Sequence, residues 1–286
     1  MRRDAAVVCS LSLVRGRASR REGVGVARTG WWELSDEVWA AVEARAGPVA
    51  GARDVADGLT CQTAVVLTTS SGMVFMKGVP ANDARGRAAQ ATEAAVNAAP
   101  RDVGPRLLWQ VVAGGWDLLG FECVDGRHAD LSAGSADLAL VADVLRSAQD
   151  VRAPEGAGVL SFADRFADVL PGEQLELLRG DTLLHTDTNP HNLLVDGDRA
   201  WLVDWAMPAT GPAWVDVAYT TVRLMEADCP APDALEWAAQ FPVWAMADPR
   251  AVEAFVAGTC RLWERQIGAR GARPSNARFT VLGMAT

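Results

Sequence analysis

The chain has 286 residues, half of them hydrophobic, and a net charge of −9 at neutral pH. That length allows one large domain or two small ones, with ample apolar material for a core. The acidic balance argues against nucleic acid, whose phosphates reward dense Lys and Arg patches, and no apolar run is long enough to span a membrane.

Residues 1–29 are rich in arginine and read as a disordered extension. Within them Ala5–Val14 weakly imitates a signal peptide, but Asp4 interrupts the basic region and no clear small-residue cleavage site follows. Ser35 is placed to cap a helix over Asp36–Arg45, stopped by Gly47-Pro48. Cys61–Thr68 and Met73–Gly78 flank Ser70-Ser71-Gly72 and predict a hairpin. An Ala-rich helix follows over residues 83–99, then a second hairpin, Leu107–Ala113 with Trp116–Val124, turning at Gly114-Gly115. Helix, strands, helix and strands in that order predict a small antiparallel sheet with one packed helix over residues 30–125.

Residues 126–286 read as mostly helical. Helical spacing recurs in Ser135–Gln149, Leu160–Leu170, Trp214–Glu226, Pro232–Gln240 and Arg250–Ile267. Between them, 181–215 is loop-rich and holds three short apolar runs, with a turn at Asp196-Gly197-Asp198. The fold class expected is therefore α+β, in two lobes. Five cysteines (Cys9, Cys61, Cys123, Cys229, Cys260) are widely spread and contain no CxxC, which fits reduced structural thiols in a cytoplasmic protein.

Two features carry chemistry. Among 27 basic residues the only lysine is Lys77. Arginine is a planar fork and lysine a point charge on a flexible stem, so a site needing the second geometry resists the swap. The other feature is Leu183-Leu184-His185-Thr186-Asp187-Thr188-Asn189-Pro190-His191-Asn192-Leu193-Leu194-Val195, a polar loop held between apolar runs, followed by Trp201-Leu202-Val203 and then Asp204. Asp187, Asn192 and Asp204 offer oxygen donors, which suit a hard cation such as Mg2+. Phosphoryl transfer asks for such a metal, a group that orients the attacking hydroxyl and a cation on the remaining phosphates.

His-x-Asp-x-x-x-x-Asn, an apolar strand ending in Asp204, and the later Gly211-Pro212 and Val215-Asp216-Val217-Ala218 resemble the catalytic region of the aminoglycoside phosphotransferases and related kinase-like small-molecule phosphotransferases. The resemblance implies a bilobal protein-kinase-like fold and transfer of the γ-phosphate of ATP or GTP, with Mg2+, to a hydroxyl of an antibiotic, sugar or related metabolite. It implies Asp187 as the base or orienting carboxylate and Asn192 and Asp204 as metal ligands. His185 and Asp216 become structural supports of the loop. In the first lobe it assigns Lys77 to the phosphates and Glu93 as its helix partner. Gly58 falls in the phosphate-covering loop, and the backbone of Glu122 and Val124 pairs with adenine at a hinge near 120–126. Thr186 stands where many protein kinases have arginine, and 11 residues separate Asp204 from Asp216, too few for a phosphorylated activation segment.

Two other readings compete. One is a nucleotide-binding pseudokinase without transfer. The other is a metal-dependent hydrolase built on His185, Asp187, His191 and Asp204, since imidazole is a common zinc ligand. Trp205, next to Asp204, is a candidate wall of the acceptor pocket, and His128 has no evident role. Over 204–286 there are nine acidic and seven basic residues, a balance that predicts an acceptor less cationic than a typical aminoglycoside.

Overall fold

The computed structural model describes residues 28–55 and 61–284, which form two compact units. The first holds the described residues up to Gln90 together with Leu107–Cys123; the second holds Ala91–Arg106 and everything from Val124 on. Residues 1–27 of the expected extension lie outside the described residues, whereas Thr29 is tied in, its N–H donating to Gln62 O at 2.9 Å.

The first unit is a five-stranded antiparallel sheet ordered β1-β2-β3-β5-β4, from β1 (Val49–Asp54), β2 (Thr63–Thr69), β3 (Gly72–Pro80), β4 (Leu107–Ala113) and β5 (Trp116–Glu122). Both expected hairpins form. Gly114 and Gly115 take φ of 53° and 80°, the left-handed pair that a two-residue hairpin turn needs. The edge strand β1 was not expected, because its Ala, Gly, Arg and Asp have low strand propensity; pairing with β2 recruits it. Helix α1 (Asp36–Ala46) packs Val38 and Val42 with Val65, Leu67, Met76, Trp109 and Leu118. Ser35 makes no side-chain cap to α1, although its carbonyl accepts from Trp39 N at 3.0 Å. The first turns of α2 (Ala84–Val96) also lie on this sheet, through Arg87 Nε to Asp117 Oδ2 at 3.3 Å and Gln90 Nε2 to Asp117 O at 3.0 Å.

The second unit is mostly helical, with two small sheets. Strand β6 (Arg127–His128) pairs with β8 (Leu193–Asp196), and β8 with β9 (Arg199–Leu202); β7 (Thr182–Leu184) pairs with β10 (Ala209–Gly211). The β8–β9 turn uses Gly197 at φ 61°, as the Asp-Gly-Asp signal requires. Around these pack α3 (Asp137–Gln149), α4 (Gly172–Glu176), α5 (Val215–Glu226), α6 (Ala231–Ala239), α7 (Pro242–Ala245) and α8 (Pro249–Gly283), the last broken at Gly268, φ 74° and ψ 158°. Residues 160–170 do not form the expected helix. Thr210 N donates to Leu160 O at 3.0 Å and Ser161 bridges Thr210, so the segment begins as sheet. Too few residues then remain before Pro171 to repay helix nucleation, and a 3-10 turn over Phe162–Phe166 results.

Helix α5 is the central element. Val215, Val217, Ala218, Val222 and Leu224 are buried, and Tyr219 meets Phe162, Phe255 and Phe279 edge to face at 6.2, 5.2 and 6.1 Å. That packing orients the polar face of α5 toward the loop after β7. None of the described helices is long and apolar enough to cross a membrane.

Candidate active site

Strand β7 ends at Leu184, and the chain then makes a polar turn under the control of α5. Asp216, buried in the first turn of α5, accepts from His185 N at 2.7 Å through one oxygen and from Thr186 N at 2.8 Å through the other. Burial pushes the Asp216 carboxyl above the usual carboxylate range, and the two N–H donors and the Arg165 guanidinium oppose it. Thr186 is held at φ 67°, a costly conformation for a β-branched residue that persists only where the surroundings over-determine it. Those surroundings are specific. Thr186 Oγ1 donates to Met207 O at 2.7 Å and accepts from Arg165 Nη1 at 2.8 Å, while Arg165 Nη2 donates to Met207 O at 2.6 Å. Arg165 therefore brings a guanidinium to the loop from another element, where the sequence has Thr186 in place of the protein-kinase arginine.

His185 is buried beneath the loop. Its Nδ1 accepts from Asp187 N at 3.3 Å and its Nε2 lies 2.9 Å from Val203 O, so the ring proton sits on Nε2. Trp205 packs edge to face on that ring at 4.8 Å and is itself 2 % exposed, with Nε1 donating to Leu202 O at 3.1 Å. The expectation of Trp205 as a pocket wall is thus corrected: an indole whose N–H is satisfied by its own strand and whose face covers His185 is part of the floor.

Asp187 is then surrounded by donors. Asn189 Nδ2 donates to Oδ1 at 2.9 Å and Asn192 Nδ2 to Oδ2 at 3.2 Å, and also to Asp187 O at 2.9 Å. The carbonyl oxygen of the Asn192 amide consequently faces away from Asp187. Asn189 also caps the 3-10 turn Pro190–Asn192, accepting from His191 N at 2.8 Å. Thr188 Oγ1 and Thr220 Oγ1 are hydrogen-bonded at 2.8 Å, a further tie to α5. Val203 N donates to Asn192 O at 3.0 Å, which sets the residue before Asp204 beside Asn192. Asp204 itself takes φ 65°. Of the three oxygen-bearing residues named from the sequence, Asp187 and Asn192 share hydrogen bonds, and Asp204 follows the residue that donates to Asn192 O.

Arg223 and Glu226, one turn apart on α5, complete this surface. Arg223 Nη1 donates to Glu226 Oε2 at 2.7 Å, and Nη2 stands 3.7 Å from Asp187 Oδ1; the side chains of Arg223, Glu226 and Asp187 are 15 %, 10 % and 19 % exposed. Burial works against the Arg223 charge, but Glu226 and Asp187 more than offset it and hold the guanidinium above its ordinary value. Sequence reading missed Arg165, Asn189, Arg223 and Glu226. Asn189-Pro190 is a helix-start signal and the Arg223–Glu226 spacing a helix-pair signal. Nothing local marks Arg165, whose partner is 21 residues away.

The remaining sequence candidates are placed as follows. In the first unit Lys77 is 4 % exposed on β3, opposite Ala64 and Leu119, with Nζ 5.6 Å from the centroid of the Phe121 ring. Glu122 ends β5 and is exposed, and Val124 follows at the start of the second unit. Glu93, in the part of α2 assigned to the second unit, is 2 % exposed and so is no solvent-facing helix residue. Gly58 lies outside the described residues. His191 is exposed and meets His128 edge to face at 5.0 Å. Among the described residues no cluster of three or more His, Cys, Asp or Glu side chains is placed to hold a metal. With both His185 nitrogens engaged, the hydrolase reading loses its central ligand.

Residues 160–255 match the phosphotransferase enzyme family, a stretch that includes Arg165, Asp187, Asn192, Asp204, Asp216 and Arg223. No curated protein sequence matches the chain. Among solved structures, a macrolide 2'-phosphotransferase from Brachybacterium faecium is 19 % identical, with a TM-score of 0.54 over 83 % of this chain and 96 % of that one. A structure described as a putative fructosamine-3-kinase from Haemophilus somnus is 12 % identical, TM-score 0.58, covering 88 % and 98 %. An aminoglycoside phosphotransferase from Streptomyces rimosus, also solved with ADP and streptomycin, is 18 % identical, TM-score 0.51, covering 85 % and 96 %. The protein therefore has the protein-kinase-like fold seen in the aminoglycoside phosphotransferases and related small-molecule kinases, and its residues 160–255 match the phosphotransferase enzyme family.

Proposed function

We propose that the protein is a cytoplasmic small-molecule kinase that transfers the γ-phosphoryl group of ATP or GTP, with Mg2+, to a hydroxyl of an antibiotic, sugar or related metabolite. The observation that carries the reading is Asp187, held by Asn189 and Asn192 in a loop that keeps the neighbouring Thr186 at positive φ. Strain of this kind is kept where function needs the geometry. In this role Asp187 receives the acceptor hydroxyl and aligns it for in-line attack, taking its proton as the bond to phosphorus forms. The donor set fits a hard cation, since the Asn192 carbonyl oxygen and the Asp204 carboxylate are oxygen ligands and the Asn192 amide nitrogen is already spent on Asp187. The bound metal would neutralise charge on the phosphates. Lys77 would hold the non-transferred phosphates, with Glu93 supporting it, the loop around Gly58 covering them and the backbone of Glu122 and Val124 pairing with the base.

The pseudokinase reading leaves Asp187, Asn192, Asp204 and Lys77 intact for no purpose. An acceptor screen coupled to ADP release tests the proposal directly. A thermal shift compares ATP with Mg2+ against Zn2+ alone, because a ligand of the native state raises its stability. Stabilisation by ATP and Mg2+ with acceptor-dependent ADP release is expected; stabilisation by Zn2+ alone would return the hydrolase reading.

A further inference from the structure

The acceptor side of Asp187 carries a charge arrangement that the phosphotransfer chemistry does not itself require. Arg223 spends Nη1 on Glu226, and its Nη2 stands 3.7 Å from Asp187 Oδ1, inside ion-pair range but beyond a hydrogen bond. Among the described residues Nη2 makes no hydrogen bond of its own, so a mostly buried donor is presented beside the carboxylate that would receive the acceptor hydroxyl. A guanidinium donates and never accepts, so the group that completes it is an oxygen. The nearby carboxylates are already engaged, Asp187 by two amides and Glu226 by Arg223. An ammonium arriving here would meet a like charge beside two carboxylates that already have partners, a costly position for a desolvated cation.

The spacing narrows the class further. Oxygens on neighbouring carbons of a gauche diol lie about one hydrogen-bond length apart. Such a pair can span a carboxylate oxygen and a guanidinium nitrogen 3.7 Å apart, one hydroxyl donating to Asp187 and its neighbour accepting from Arg223. Resting on the phosphotransferase reading, we propose that Arg223 is the specificity-determining residue of this site and selects a vicinal diol, or another molecule with an oxygen beside the reacting hydroxyl, over a 1,2-amino alcohol. Glu226 positions the guanidinium for that task.

The test measures ADP release at saturating ATP and Mg2+ with matched probes: cis-1,2-cyclohexanediol against cis-2-aminocyclohexanol, and glucose against 2-amino-2-deoxyglucose. In the wild type kcat/KM for the diol member exceeds that for the amine by about tenfold or more, the worth of a hydrogen bond to a charged group. Arg223→Gln lowers that ratio by about the same factor, and Arg223→Lys, which keeps the charge without the fork, recovers part of it. The double variant Arg223→Gln/Glu226→Gln gives the same loss of preference without stranding Glu226, and serves if the single variant folds poorly. Equal or better use of the amine, a ratio unmoved by the variants, or no turnover of any diol by a protein that ATP and Mg2+ stabilise overturns the assignment. Absence of that stabilisation defeats the phosphotransferase reading itself and the assignment with it.

Discussion

The two units set their candidate site residues on different kinds of backbone. In the first, Lys77 sits on a strand flanked by apolar neighbours, within cation–π range of Phe121 and among successive buried residues of β3 and β5. In the second, Asp187 sits in a loop with no regular backbone pairing, and its position is set by a relay of hydrogen bonds from Asp216, Arg165, Asn189 and Asn192. A side chain on a packed strand is sensitive to volume, whereas one positioned by a polar relay in a loop is sensitive to single atoms. The difference teaches where each unit breaks.

The largest effect is expected at the end of the relay. Asp187→Asn keeps the shape and should cut turnover by about 100-fold or more, the usual worth of a positioned acid–base group. ATP-induced stabilisation should stay, and retention of turnover within about tenfold would show that this carboxylate is not the group that handles the hydroxyl. Asp216→Ala strands the His185 and Thr186 N–H groups in a buried position and should cost about 3 kcal/mol in denaturant unfolding, against much less for Asp216→Asn, which keeps one acceptor.

The sheet unit should answer to volume instead. A Cβ on Gly120 would come within 2.2 Å of the Trp109 ring, so Gly120→Ala should destabilise by about 1–3 kcal/mol although no hydrogen bond is lost. Equal sensitivity of both units to such overpacking would erase the contrast. Lys77→Arg should weaken ATP binding by roughly tenfold with little change in thermal stability, since a planar fork cannot reproduce a point charge. Arg165→Met tests the relay more finely. It removes the donors to Thr186 Oγ1 and Met207 O, so kcat should fall by roughly tenfold while the KM for ATP holds. A change in KM alone would mean that the loop does not depend on this guanidinium.

Elements with a strong local signature were legible before any coordinates. Both hairpins, α1, α3, α5 and α6 follow from turn residues and apolar period, and the polar loop after β7 follows from its spacing of polar residues between apolar runs. Elements that exist because a neighbour recruits them were not. Strand β1 forms on the edge that β2 offers, and residues 160–170 lose their helix because β10 claims Leu160 and Ser161. Trp205 was misread for the same reason, since nothing beside it in the chain announces that His185 will lie against its ring.

The order of residue types along the chain pointed by itself to the α+β class and to Asp187, Asn192 and Asp204 as candidates, with Asp216 added by resemblance, because turn, strand and ligand chemistry act over a few residues. Tertiary structure alone decided which guanidinium supports Thr186, which one faces Asp187, and that Trp205 lies in the floor. These contacts join residues 21, 36 and 20 positions apart along the chain. Only the packing of α5, of the 3-10 turn at Phe162–Phe166 and of the segment after Asp204 closes such distances, and no local propensity encodes it.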